Sequence, residues 1–168
     1  HWSAVSQKIG TGQSHPVDVS GGYFYTTNED FKIPGVISLV WERVWQSFSN
    51  YDGPLGYGWH HSYDIALNID FNAKVAAVRL ADGRPAAFEI PVKDKPSFNR
   101  SEKLTLHTHD DGYYYLTDDK GLIYRFTENK YINKFSRTEG FLLQSISNQN
   151  GFSIRFEYDP NGLLVKIT

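Results

Sequence analysis

The longest apolar run and the densest glycine cluster of the chain lie together, in residues 34–59, PGVISLVWERVWQSFSNYDGPLGYGW. Within 36–48, Ile37, Leu39, Trp41 and Trp45 recur at period two on one face, and Val36, Val40, Val44 and Phe48 on the other. A helix would also gather Ile37, Val40, Trp41, Val44 and Phe48, so periodicity alone does not decide. The Val, Ile and Trp content does, together with the turn residues that bracket the run at Pro34-Gly35 and at 50–53. This is read as a central strand covered on both faces. A shaped glycine loop follows it and ends on Trp59 as an aromatic plug of the core. If Arg43 is buried inside the strand, it needs a carboxylate or carbonyl partner.

The flanking pattern is also that of strands. Residues 23–27 form a strand entered from a turn at 15–22, and 28–35 connect it to the central strand. In 63–71, Tyr63, Ile65, Leu67, Ile69 and Phe71 alternate with Asp64, Asn68 and Asp70, the mark of a half-buried antiparallel strand. Then glycines recur behind polar residues, at Gly83, Gly112, Gly121, Gly140, Gly151 and Gly162, each followed by an apolar run. Asn-Gly and Asp-Gly supply the positive φ of two-residue hairpin turns, so a serial hairpin array is expected. Residues 91–100, with two prolines and mixed charge, interrupt the array as a surface loop. Residues 1–14 read as an extended arm. No segment reads as a convincing helix; 128–137 is the nearest candidate.

Composition narrows the function classes. The 168 residues suit one domain or one slice of a larger one. A net charge of −2 gives no basic field for nucleic acid. No run is long enough for a membrane-spanning helix. The absence of cysteine excludes disulfides, thiol catalysis and cysteine–zinc sites.

The candidate chemistry is sparse. The glycine loop 52–59 lacks the Lys-Ser/Thr of a phosphate-binding loop. His60-His61 and the His107, His109, Asp110 group are the metal-like clusters, and a third ligand for the latter must come from elsewhere; no metal is expected. Glu29, Asp30, Asp64 and Asp70 show no sign of convergence into a catalytic pair. No nucleophile-elbow sequence is present. Tyr113, Tyr114 and Tyr115 have the chemistry to stack on sugar rings, although strand aromatics more often pack on each other.

Several motifs, in order, resemble the opening of the bacterial Rhs/YD-repeat shell. They are Pro16-Val17-Asp18-Val19-Ser20-Gly21-Gly22, Asp30-Phe31-Lys32-Ile33-Pro34-Gly35, Arg43-Val44-Trp45-Gln46-Ser47 and Gly53-Pro54-Leu55-Gly56-Tyr57-Gly58-Trp59. Tyr158-Asp159-Pro160-Asn161-Gly162 resembles one YD repeat. The resemblance implies an all-β, antiparallel, curled or barrel-like sheet that starts a β-spiral shell around a C-terminal toxin, in proteins often exported by type VI secretion. Many members are cleaved near the first motif, which implies a junction at Pro16, Val17 and Gly22; Gly21 stands here where the family usually has Thr.

The expected divisions are an arm (1–14), a shell-opening, capping region (15–100) and a hairpin array ending in a YD-type repeat (101–168). The expected function is structural and non-catalytic, without a cofactor, in an exported protein. The architectural residues are Pro34, Gly35, Arg43, Trp45, Gly56, Gly58 and Trp59. The partners are the rest of the shell, its enclosed toxin and a delivery module, with self-association through the edge of the last strand. The alternative is a β-rich module that binds glycan or protein at a cell surface.

Overall fold

The computed structural model describes residues 17–18, 22–109, 112–130 and 140–168. All regular structure among them is β, in antiparallel ladders. The arm at 1–14, Pro16, Gly21, Asp110 and most of 128–137 lie outside the described residues.

A small sheet comes first. It joins β1 (Val17–Asp18), β2 (Tyr23–Ile33), β3 (Leu39–Gln46) and β6 (Trp59–His61) in the order β1-β2-β3-β6. The segment read as a connection, 28–33, is part of β2. It pairs with β3 down to Ile33 opposite Leu39, with a bulge between Glu29 and Phe31. A two-stranded ribbon, β4 (Asp52–Gly53) with β5 (Gly56–Tyr57), lies between β3 and β6. The central strand is real but shorter than its apolar run. Val36 and Phe48 fall outside it and are exposed, so its coverage is incomplete.

The large sheet holds β7 (Ala66–Asp70), β8 (Val75–Arg79), β9 (Pro85–Glu89), β10 (Ser97–Asn99), β11 (Leu104–Thr108), β12 (Tyr114–Thr117), β13 (Ile123–Glu128) and β14 (Phe141–Ser147). Their order is β10-β11-β12-β13-β14-β7-β8-β9, so strands from both sides of residue 100 share one sheet. It curls until its ends meet. Asn99 Nδ2 donates to the Ala87 carbonyl at 3.0 Å across β10 and β9. The Arg84 guanidinium grips both oxygens of Glu102, at 2.7 and 3.2 Å, beside that seam. The loop expected at 91–100 therefore contains the short strand β10 that brings the barrel nearly to closure.

Alternation fills the barrel. Leu67, Ala76, Val78, Ala86, Phe88, Leu106, Leu116 and Phe126 point inward and are buried. Phe71, expected on this inner row, is 70 % exposed because β7 has ended at Asp70; Asp64, expected outside, is buried ahead of β7.

On one edge β14 forks. Phe141 and Leu142 pair with β7, whereas Ser145, Ile146 and Ser147 pair with β15 (Ser153–Tyr158). Beyond β15 lies β16 (Leu164–Ile167). A second core of Tyr63, Leu143, Ile146, Ile154 and Phe156 fills the fork, with Leu39 and Trp41 packed on it. A bulge opposite Glu157 and Tyr158 turns both Leu164 and Ile167 toward this core and leaves Val165 62 % exposed. The inward row of β16 is thus Leu164 and Ile167, not a strict alternation through Val165.

The glycine turns share one geometry among the described residues. At Leu80, His109, Asp118, Asn148 and Asp159 the residue donates its N–H to the carbonyl four residues on and accepts from the glycine three residues on. These are three-residue loops, not the expected two-residue turns. The glycine at the loop's end takes a positive φ, between 77° and 88°. In three of them the first side chain completes the turn. Asp118, Asn148 and Asp159 Oδ1 each accept the N–H groups two and four residues ahead, at 2.8–3.1 Å.

Candidate functional site

The loop from β3 to β6 is folded back on itself and pressed against the outside of the barrel. Gln46 N–H donates to the Gly58 carbonyl at 3.0 Å, and Gly58 N–H to the Tyr51 carbonyl at 2.8 Å. Gly58 has φ +76°, and a Cβ there would meet Trp45 Nε1 at 2.8 Å. Glycine is therefore required by both backbone and neighbour. Gly56 also has positive φ, at +94°, but in open space.

Tyr51 fastens this loop to the barrel. Its hydroxyl donates to Asp64 Oδ2 at 2.8 Å, and the Arg79 guanidinium lies 3.9 Å from its ring centroid. Arg79 also donates to the Asp64 carbonyl and to Oδ1, both at 3.1 Å. The Asp64 side chain is 3 % exposed, a buried carboxylate that needs such partners. Ser49 Oγ lies 2.8 Å from His60 Nε2, and the His60 ring stacks on Tyr51 with centroids 5.3 Å apart. His60 is 1 % exposed and lies so close to Gly83 that a Cβ at Gly83 would overlap its ring. Between loop and barrel is a cleft of about 640 Å³, walled by Phe48, Ser49, Tyr51 and His60 and floored by Ala66, Ala77 and Pro85.

Electrostatics mark this cluster as a lock. Burial, and then the Arg79 charge, hold the His60 imidazole below its ordinary value of 6.5, so it is neutral near pH 7. The Ser49–His60 distance is that of a nucleophile and its base. Yet His60 Nδ1, like Gln46 Oε1, has no hydrogen-bond partner among the described residues, and the Asp64 carboxylate is turned to Arg79 and Tyr51. The group that orients a catalytic imidazole is therefore missing at Nδ1. Burial also raises the Glu42 carboxyl and the Tyr63 phenol.

The residues singled out by sequence do not form one site. Pro34 and Gly35 lie exposed in the β2–β3 turn. Arg43 is not buried: 40 % of its side chain is exposed, and it pairs with both oxygens of Asp30 at 2.6 and 2.7 Å. At the other end of β3, Trp45 and Trp59 are directly paired, and Arg43 sits 5.7 Å from the Trp59 ring centroid. Trp59 is half-buried rather than a core plug; the buried neighbours are Gly58, His60 and His61. Val17 pairs with Phe24 in β1, and Gly22 takes φ +68° in the turn between them.

His107 and His109 do share an outer face of the barrel, but each is stacked on a tyrosine. His107 lies 4.5 Å from Tyr115, and His109 5.0 Å from Tyr113. His107 Nε2 meets Thr117 Oγ1 at 3.0 Å. No group of three His, Asp or Glu side chains suited to a metal occurs among the described residues. The lock of Ser49, Tyr51, His60, Asp64 and Arg79 was missed as a set by sequence reading; His60 was visible there as one of a histidine pair beside the glycine loop, and Asp64 as a carboxylate expected on the outer face.

Comparison with known proteins adds two likenesses. Residues 14–88 match the family described as a domain of unknown function, DUF6531. Over 169 aligned residues the chain is 25 % identical to the double-stranded DNA deaminase toxin A of Burkholderia cenocepacia (strain H111). That alignment takes in 98 % of this chain and 11 % of the toxin. The chain is thus similar to a segment of a toxin protein.

Proposed function

We propose that this chain is a structural, non-catalytic segment of a toxin-bearing protein, one that starts and caps a β-shell enclosing the toxin. The observation that carries the reading is the last strand. β16 pairs with β15 on one edge and has no strand on its other edge among the described residues. Such an edge is a template for the next strand of a continuing sheet. The repeated turns supply the means of continuation, since each adds one hairpin by the same geometry.

The likeness to a small part of a much longer toxin supports this role. The polar lock supports the non-catalytic part, because its charges are spent on holding the loop to the barrel. In this reading the chain is exported with its parent, and its partners are the following shell repeats and the enclosed toxin. The glycan-module alternative has less support. Tyr113 and Tyr115 stack on histidines and are inclined by 45° to each other, so they offer no flat platform for a sugar.

Protease protection tests the proposal. In the intact parent protein the toxin segment should resist digestion. Removing residues 34–59 should make it digestible while other parts of the shell stay folded. Unchanged protection would contradict the capping role.

A further inference from the structure

We propose that His60 is an acid-sensitive latch: neutral, it pins the 47–58 loop to the barrel, and protonated, it lets that loop lift and widens the cleft beneath it. The geometry carries this. His60 stands between the two bodies, bonded to Ser49 on the loop side and close against Gly83 on the barrel side. It is 1 % exposed, so a charge placed on it is poorly hydrated.

Burial and the Arg79 cation oppose that charge and outweigh the attraction of the Asp64 and Asp82 carboxylates, which are already paired. From β8, Arg79 presents a cation to the same Tyr51 ring on which His60 stacks. The Asp64 carboxylate, ahead of β7, is engaged by Arg79 and Tyr51. Asp82, in the β8–β9 turn, is engaged by Arg84 at 2.8 Å. From β3, Gln46 is uncharged, and its amide N–H already donates to the Asp82 carbonyl at 3.1 Å. On the loop, Asp52 is exposed to solvent, and on β6 the adjacent His61 turns to stack on Trp41. The charged ring also requires an N–H at Nδ1, which has no acceptor among the described residues. The loop is the side that yields, because it is a short ribbon whereas Gly83 belongs to the barrel.

The sign follows from linkage. The folded His60 value lies below the unfolded 6.5, so the unfolded or opened state binds the proton better. Loop attachment is therefore complete above pH 6.5 and is lost as pH falls below it.

The test is hydrogen exchange followed by NMR on the intact chain, with protection factors corrected for intrinsic rate. As pH falls from 7.5 to 5, the Gly58 amide, which donates to Tyr51, should lose protection while Leu67 and Leu116 in the barrel keep theirs. In His60→Gln this pH dependence should vanish. Should that variant not fold, Ser49→Ala, which keeps the imidazole and its stack on Tyr51 but removes its hydrogen bond to the loop, should show weakened Gly58 protection already at pH 7.5. Gly58 protection that stays constant with pH overturns the latch. So does a loss with the same midpoint in His60→Gln, which would assign it to another group. Unaltered protection in Ser49→Ala at pH 7.5 overturns it as well.

Discussion

The Tyr158 hydroxyl donates to the Leu143 carbonyl at 2.6 Å, tying β15 to the buried middle of β14. Beside it, Asp159 holds the next turn through its carboxylate. The Tyr-Asp pair is therefore a structural unit: one residue fastens the strand laterally, and the other folds the chain back for the next strand.

Tyr158→Phe should destabilise the chain by about 1 kcal/mol, the usual net worth of such a bond. Urea unfolding measures it. A loss under about 0.3 kcal/mol would mean that the hydroxyl is dispensable, since the ring's packing is retained.

The glycine turns give a graded comparison. Gly112→Ala and Gly151→Ala meet nothing within 4 Å, so only the positive φ opposes them, at roughly 1–2 kcal/mol. Gly83→Ala has a similar φ, but its Cβ would overlap the His60 ring, so its cost should be distinctly larger. Equal losses at Gly83 and Gly151 would show that His60 gives way without cost.

Much of this was legible in the sequence. Strand identity followed from alternation, and turn positions from the glycines, because both are local properties. The loop length of the turns was not, since two- and three-residue hairpins use the same Asn-Gly and Asp-Gly signals. Nor was the strand character of 28–33, where charged side chains sit on an exposed ribbon and hide the pairing. The lock was invisible for another reason. The pairing of β7 with β8 sets Asp64 beside Arg79, and Ser49, Tyr51 and His60 reach them only through the return of the loop. Trp59 misled because aromatic bulk suggested burial, whereas the tight backbone around Gly58 places His60 inside instead.

Alkaline stability should depend on Tyr124. Burial first, and then the neighbouring Asp118 charge, push its phenol up from 10 to about 12. The fold thus favours the protonated ring. That contribution is complete below pH 10 and is lost as pH rises toward 12. Tyr124→Phe should flatten the fall in stability between pH 9 and pH 11.5, as measured by urea unfolding at each pH. An equally steep fall in the variant would place the alkaline loss elsewhere.

The outer edge of β16 should drive self-association of the isolated chain. Its guards are the bulge at Val165 and the Lys166–Glu157 pair at 3.2 Å, both weak barriers. Light scattering across a concentration series should show the mass rising, and Val165→Lys should suppress the rise. If the unsubstituted chain stays monomeric at high concentration, the open-edge reading fails.

The most direct test of the proposed shell role is a cryo-EM structure of a longer protein that contains this chain. A strand following Thr168 should pair with the outer edge of β16, continuing the sheet into a closed wall with the toxin segment inside. A β16 edge facing solvent, with this chain standing as a separate module on a linker, would contradict it.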